Sequence, residues 1–124
     1  MASKDTQWAY TQEELIKKTA RLKALVARTP SGGRLRKPAN GKEMFLETSV
    51  GRVRILGYNL EEKERLPLFV NFHGGGFIIG APEMDDPYMP RVAKEAGVKI
   101  LNVDYSLAPE HPFPKGLDES YSVV

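Results

Sequence analysis

The chain contains 124 residues, of which 41% are hydrophobic and 27% charged, the length and composition of one ordinary globular domain. It has no cysteine, which excludes disulfide scaffolds, thiolate metal sites and cysteine nucleophiles. No apolar run approaches the ~20 residues of a membrane span, and the first residues lack the apolar core of a signal peptide. We therefore expect a cytoplasmic protein without a membrane span.

Positive charge is concentrated near the N-terminus. The net charge is +2, yet residues 1–40 hold nine Lys and Arg against three Asp and Glu, whereas residues 41–124 hold nine against thirteen. A basic segment can bind nucleic acid or an anionic surface, but neither zinc-finger spacing nor interleaved aromatic residues accompany this one. The pattern favours a solvated helix face and linker, and we expect no nucleic-acid partner.

The first predicted element is a helix from about Thr11 to Arg28. Thr11 and Glu14 have the spacing of a capping box, in which each side chain satisfies a free backbone amide at the helix start. Apolar residues then recur on one face. Residues 29–33 (Thr-Pro-Ser-Gly-Gly) end the helix, and the stretch to Gly41 has the composition of a basic linker.

Strands are predicted from Gly41 onwards. Residues 45–49 and 53–59 flank Val50-Gly51-Arg52 and alternate in polarity, which predicts an antiparallel hairpin. The run from Leu66 to Phe72 is almost continuously apolar, which is typical of a strand buried on both faces.

A strand–helix–strand unit completes the chain. We expect a helix from about Asp85 to Gly97, where the glycine is a typical stop, and a second buried strand at Val98–Val103. This order predicts a parallel pair of strands. A proline-rich loop then leads to a helix near Leu117–Val124. The expected fold class is therefore α/β, with a leading antiparallel hairpin followed by a parallel strand–helix–strand unit.

The most informative segment is His73-Gly74-Gly75-Gly76, directly after a predicted strand. Successive glycines leave the backbone free of side chains, so that several N–H groups can converge on an anion or a developing oxyanion. Phosphate is the competing ligand, but Ile79 stands where the third glycine of Gly-x-Gly-x-x-Gly belongs, and no Gly-Lys-Ser/Thr occurs. The pattern favours an oxyanion loop over a phosphate loop or a plain turn.

Two motifs together carry a family resemblance. His73 to Gly76 matches a His-Gly-Gly-Gly motif, and Val103 to Pro114 is similar to the signature Tyr-Arg-Leu-Ala-Pro-Glu-His-Pro-Phe-Pro, with Ser106 in place of the arginine. Residues 66–124 thus resemble the early part of the hormone-sensitive-lipase-like (α/β-hydrolase fold-3) branch of the α/β hydrolases. On this resemblance, residues 1–40 are an N-terminal helical cap segment and linker, and residues 41–124 are the incomplete N-terminal part of the catalytic domain.

The resemblance implies hydrolysis of a small-molecule carboxylic ester by a Ser-His-Asp triad, without a cofactor or a metal. Gly75 and Gly76 would donate backbone N–H groups to the oxyanion, and Gly74 is the alternate donor. His73 would shape the loop rather than act as a base. The two residues that would line the acyl pocket or contact the cap are Phe77 and Ile78.

The second motif is expected to be architectural. Its three prolines make the loop stiff, and one or two of their peptide bonds are predicted to be cis. Adjacent residues in such a loop rarely point the same way, so Glu110 and His111 are not expected to form an acid–base pair. Asp104 and Asp118 are expected to be caps or structural partners. Asp85 and Asp86 are expected to be charges at a helix start, where the helix dipole favours them, and not a pair of metal ligands.

No Gly-x-Ser-x-Gly nucleophile elbow occurs in these 124 residues. In the resembling fold the nucleophile, acid and base follow the glycine motif, so we expect a truncated portion of a longer esterase that is inactive alone. The strand at Leu68–Phe72 would then be an exposed edge that pairs with the missing C-terminal part or with a partner chain. The alternatives are a non-catalytic binding or scaffold protein on the same fold. Acyl and alcohol specificity and oligomeric state are not encoded in a readable pattern.

Overall fold

The computed structural model describes residues 10–28, 38 and 40–124. The predicted helix stop at residues 29–33 and most of the predicted basic linker lie outside the described residues. The chain forms two compact units, Met1–Arg34 and Leu35–Val124.

The first unit contains helix α1, Gln12–Ala27, which confirms the predicted helix. Thr11 is its N-cap and forms the predicted capping box. The Thr11 backbone N–H donates to Glu14 Oε2 at 2.7 Å, and the Glu14 N–H donates to Thr11 Oγ1 at 3.3 Å. The hydrogen bond from the Thr11 backbone lowers the pKa of Glu14 below its ordinary value.

The second unit contains a four-stranded mixed sheet with the order β1-β2-β4-β3. The β1–β2 and β2–β4 pairs are antiparallel and the β3–β4 pair is parallel, which confirms both the predicted hairpin and the predicted parallel pair. Gly51, with a φ of 119°, follows the hairpin turn in a conformation that favours glycine. The strands are β1 (Lys42–Thr48), β2 (Gly51–Tyr58), β3 (Leu68–Phe72) and β4 (Lys99–Asp104).

Two helices flank the central strands of the sheet. Helix α2 spans Met89–Ala96 and ends at Gly97, whose φ of 64° makes it a left-handed C-cap, as predicted. The helix begins later than predicted, because a short 3₁₀ turn (Pro82–Met84) precedes it and Pro90 occupies its first turn, where no hydrogen-bonded N–H is needed. Helix α3 spans Lys115–Val123.

Alternate residues of β2 and β4 supply two apolar clusters on opposite faces of the sheet. On one face, Met89 and Ala93 of α2 pack against Leu56, Tyr58 and Ile100. On the other face, Val123 of α3 packs against a second cluster: Val53, Ile55, Val103 and Tyr105. The core therefore lies on β2 and β4, and α2 and α3 cover opposite faces.

The prediction that the strand ending at Phe72 is buried on both faces is wrong. β3 has β4 as its one neighbour in the described sheet, and Leu68, Phe69 and Phe72 are 56%, 44% and 41% exposed. Side chains at a sheet edge lack cover from a second strand, whatever their hydrophobicity. The companion prediction, an exposed apolar edge at Leu68–Phe72, is confirmed.

Within the described residues, none of the helices combines the length and apolar character that a membrane crossing requires.

Candidate oxyanion site

The glycine segment follows β3 and borders a cleft of about 810 Å³. Polar groups are few in its lining, whereas aromatic and glycine residues dominate it. The glycine segment contributes His73, Gly74, Gly75, Gly76 and Phe77, and the lining otherwise comes from β3, the second motif and α3: Phe72, Tyr105, Ser106, Ala108, His111, Phe113, Gly116, Leu117 and Ser120. The predicted loop and the second motif therefore form one site.

Gly75 and Gly76 have φ angles of 135° and 61°, in the region that favours glycine. A Cβ atom on Gly75 would overlap the carbonyl oxygen of Ile79. The Gly75 carbonyl in turn accepts hydrogen bonds from the N–H groups of Ile78 and Ile79 at 3.2 and 3.1 Å. The loop thus closes into a tight turn that a larger residue at position 75 would open.

The amides of this turn are available as donors. Among the described residues, none accepts a hydrogen bond from the N–H groups of Gly75 and Gly76. Both glycines line the cleft. Successive backbone N–H groups in such turns bind anions, because their dipoles add at one point. The arrangement can therefore hold an anion or a developing oxyanion.

His73 is buried, with 3% of its surface exposed, and its contacts are within the loop and with Tyr105. Its Nδ1 lies 2.9 Å from the Gly74 carbonyl oxygen. The Tyr105 hydroxyl donates to the His73 carbonyl oxygen at 2.7 Å, and the two rings stack with centroids 4.4 Å apart. Burial raises the pKa of Tyr105, so this hydroxyl remains a donor at neutral pH. These contacts connect His73 to the glycine segment and to Tyr105.

Of the two residues assigned to substrate contact, Phe77 lines the cleft and Ile78 does not. Phe77 has a φ of 64° and 75% of its surface is exposed. Sequence reasoning missed two further apolar residues of the lining, Phe113 and Leu117, which come from the second motif and α3. Phe113 stands between two prolines and Leu117 is at the start of the predicted last helix, and neither pattern indicates a cleft by itself.

The second motif is bonded directly to the glycine segment. The Ala108 N–H donates to the Phe77 carbonyl oxygen at 2.9 Å. The Ala108-Pro109 and Phe113-Pro114 peptide bonds are cis, which confirms the prediction for this loop. His111 lines the cleft, and its backbone N–H donates to the Leu107 carbonyl oxygen at 2.9 Å.

Asp85, Asp86 and Asp104 each have a structural partner, which confirms the prediction for Asp104. The prediction that Asp85 and Asp86 are helix-start charges is wrong, because the first turn of α2 contains no acidic residue. Asp104 contacts Arg54 at 2.9 Å, and Asp85 accepts a hydrogen bond from Asn71 at 2.9 Å. Asp86 accepts hydrogen bonds from the Gly41 N–H at 2.7 Å and the Tyr58 hydroxyl at 2.8 Å. In the part of the chain that the structure describes, no three His, Cys, Asp or Glu residues are grouped as metal ligands.

Arg54 connects the hairpin to the segment after the glycine loop. Its guanidinium contacts Glu43, Glu83 and Asp104. Burial alone would lower the pKa of Arg54, but hydrogen bonds to the three carboxylates outweigh that effect and raise it.

This fold is similar to the early part of the α/β-hydrolase fold. Residues 69–124 match the family model of the α/β hydrolase fold. Human hormone-sensitive lipase is 48% identical over 54 residues, which cover 44% of this chain and 5% of that protein. Carboxylesterase NlhH of Mycobacterium tuberculosis is 40% identical over 62 residues, which cover 50% of this chain and 19% of that protein. Residues 69–124 thus match the α/β-hydrolase family, and the matching region is similar to hormone-sensitive lipase and to carboxylesterases.

Solved structures agree with this assignment. A hyperthermophilic esterase from the archaeon Pyrobaculum calidifontis superposes with a TM-score of 0.62 and 27% identity, covering 90% of this chain and 35% of that one. An ester hydrolase from the metagenome of Lake Arreo, complexed with a bipyridine phosphonate derivative, superposes with a TM-score of 0.66 and 29% identity, covering 85% of this chain and 35% of that one. The chain thus spans about a third of these solved relatives.

Proposed function

We propose that this chain supplies the oxyanion site of a carboxylic-ester hydrolase that acts by Ser-His-Asp acyl transfer. In such a reaction a serine hydroxyl adds to the ester carbonyl, whose oxygen becomes an oxyanion. The alcohol then leaves with a proton, and water releases the acid from the acyl-enzyme. The nucleophile, acid and base would come from a part of the full-length protein outside these 124 residues, so this chain alone would be inactive.

The observation that carries the proposal is the pair of consecutive N–H groups at Gly75 and Gly76, both at positive φ, on the border of an apolar cleft. Donors fixed before the reaction stabilise the oxyanion without having to reorganise, and losing one donor typically costs roughly 100–1,000-fold in rate. Gly74 lines the same cleft and remains the alternate donor. Phe77 gives the cleft an apolar wall that suits the acyl or alcohol part of an ester.

A matched pair of glycine substitutions tests the oxyanion role in the full-length gene product. Gly76 and Gly97 have φ angles of 61° and 64°, and a Cβ on either would meet nothing within 4 Å. Alanine at each position therefore adds the same backbone strain, about 1–2 kcal/mol. We expect Gly76→Ala to lower kcat for a p-nitrophenyl ester by roughly 10–100-fold, because the donor shifts. Gly97→Ala lowers the melting temperature equally but leaves kcat unchanged. Equal kcat values for the two variants would contradict the role of Gly76.

The intact mass of the natural gene product tests where the triad lies. A mass well above the 13.9 kDa of this sequence supports a longer esterase, in which the nucleophile is sought in the additional residues. A mass of 13.9 kDa would remove the proposed nucleophile from the chain and, with it, the esterase proposal. In that case a binding or scaffold role on the same fold becomes the better proposal.

We further propose that the exposed edge of β3 pairs with a strand from the rest of the protein or from a partner chain. The support is the exposed apolar row on this edge, since unpaired edges with such side chains are rarely left open. Residues 1–40 are proposed as a helical cap segment with its linker, residues 41–124 as part of the catalytic domain, and the cytoplasm as the location.

A further inference from the structure

Ser106 occupies the position at which the family signature usually has arginine, directly after Tyr105. The several hydrogen bonds of a guanidinium are therefore missing from this loop. The structure supplies a different partner. The buried carboxylate of Glu119, on α3, accepts a hydrogen bond from the Ser106 backbone N–H at 2.7 Å and one from the Ser106 hydroxyl at 2.9 Å. One carboxylate thus satisfies both donors of a single loop residue.

The Glu119 side chain is 10% exposed, and Lys115 is its ion-pair partner at 3.3 Å. Charge-assisted hydrogen bonds in such a poorly solvated place are roughly twice as strong as neutral ones. The contact also needs close approach of the helix: a Cβ on Gly116 would lie 2.6 Å from the Ser106 carbonyl oxygen. The first turn of α3 is therefore fitted tightly to Ser106.

From Ser106 the contacts lead directly to the glycine segment. Its neighbour Tyr105 donates a hydrogen bond to the His73 carbonyl oxygen and stacks on the His73 ring. Two residues beyond Ser106, the Ala108 N–H donates to the Phe77 carbonyl oxygen. The loop that Glu119 holds therefore contacts both ends of the segment His73–Phe77, between which Gly75 and Gly76 lie.

We propose that Glu119 is a positioning residue for the oxyanion donors and acts through Ser106. The expected effect of Glu119 on catalysis rests on the proposed esterase function. The expected effect of Glu119 on the order of the segment His73–Phe77 does not depend on that function.

The test uses Glu119→Gln in the full-length gene product. Glutamine keeps the size of the side chain, but its amide nitrogen cannot accept a hydrogen bond, so one Ser106 donor loses its partner. The control is Glu95→Gln on α2, where an exposed glutamate forms an i,i+4 pair with Arg91. Hydrogen–deuterium exchange is measured for residues 73–80 and for α3, together with kcat and KM for a p-nitrophenyl ester.

We expect Glu119→Gln to speed exchange of residues 73–80 and to lower kcat by about 10–100-fold at an unchanged KM, because misplaced donors affect the transition state and not substrate binding. Glu95→Gln should change neither. Faster exchange confined to α3, or a lower melting temperature with wild-type kcat, would show that Glu119 only holds the helix and would overturn the proposal.

Two further variants keep the test decisive if Glu119→Gln does not fold. Ser106→Ala removes the hydroxyl donor alone and should speed loop exchange to a smaller extent, whereas Ser106→Thr keeps the hydroxyl and should restore slow exchange. Because both residues act through one contact, the double variant Glu119→Gln/Ser106→Ala should exchange residues 73–80 no faster than Glu119→Gln alone. If the wild-type protein hydrolyses no ester, the proposed function fails, and the exchange measurements still decide the role of Glu119.

Discussion

Replacing Arg54 with methionine should strongly destabilise the protein. The Arg54 side chain is 21% exposed and contacts three carboxylates from three segments: Glu43 in β1, Asp104 at the end of β4, and Glu83 in the 3₁₀ turn. Glu83 is the decisive partner, because only 9% of its side chain is exposed. Arg54 binds its Oε1, and its buried Oε2 has no hydrogen-bond partner among the described residues.

The expected cost follows from the charge that the substitution leaves behind. Removing one partner of a buried ion pair typically costs 3–5 kcal/mol, because the remaining charge is uncompensated; we expect about 3 kcal/mol for Arg54→Met because Arg54 is partly solvated. The ion pair between Arg54 and the more exposed Glu43 contributes little to this loss of stability. The double variant Arg54→Met/Glu83→Gln should recover a large part of the loss, since a neutral amide is less costly to bury than a carboxylate.

Arg52→Met is the matched control, two residues earlier on the same strand. Its side chain is 63% exposed, and its guanidinium contacts the exposed Glu47 at 3.5 Å and lies over the Phe45 ring, so we expect a loss of about 0–1 kcal/mol. The assay is urea unfolding of the full-length gene product, followed by circular dichroism. A loss for Arg54→Met no larger than that for Arg52→Met would refute the argument from the buried Glu83 carboxylate.

Two more predictions concern the buried polar groups on the α2 face of the sheet. Burial and the hydrogen bond to Asp86 raise the pKa of Tyr58. The neutral phenol therefore contributes its full stabilisation below the ordinary tyrosine pKa of about 10, and this contribution is lost as the pH rises further. In Tyr58→Phe the melting temperature should fall less steeply with pH above about pH 10. The control Tyr121→Phe, at an exposed position, should show the same slope as the wild-type protein. Equal slopes for the two variants would contradict the role of the Tyr58 hydroxyl. Asn102 is fully buried, donates to the Pro82 carbonyl oxygen and accepts from Asn71, both at 2.9 Å, so Asn102→Ala should cost about 1–3 kcal/mol in urea unfolding. A negligible loss would mean that water replaces these bonds.

The sequence predicted the elements and their order well, because their signals are local. The capping box of α1, the hairpin around Gly51 and the stop at Gly97 each depend on residues within a few positions of one another. The start of α2 was less predictable, since prolines fit both the observed helix and the 3₁₀ turn before it.

The glycine loop was recognisable for a similar reason. Three glycines after an apolar strand specify an unusual backbone wherever they occur, and the positive φ angles of Gly75 and Gly76 are in keeping with that pattern. The proline-rich motif was likewise recognisable from its own residues. Its hydrogen bond to Phe77 was not, because the two segments are far apart in the chain.

The sequence by itself thus indicated the helices, the hairpin and the glycine-rich turn, which follow from short-range periodicity and backbone sterics. The parallel pair followed from the order strand–helix–strand. Only the tertiary structure decided which apolar strand is buried: β4 has neighbours on both sides, whereas β3 lies at the edge of the described sheet. It also decided that Glu119 binds Ser106 and that Phe113 and Leu117 border the cleft. Burial and partner choice depend on which distant surfaces meet, and no local pattern encodes that.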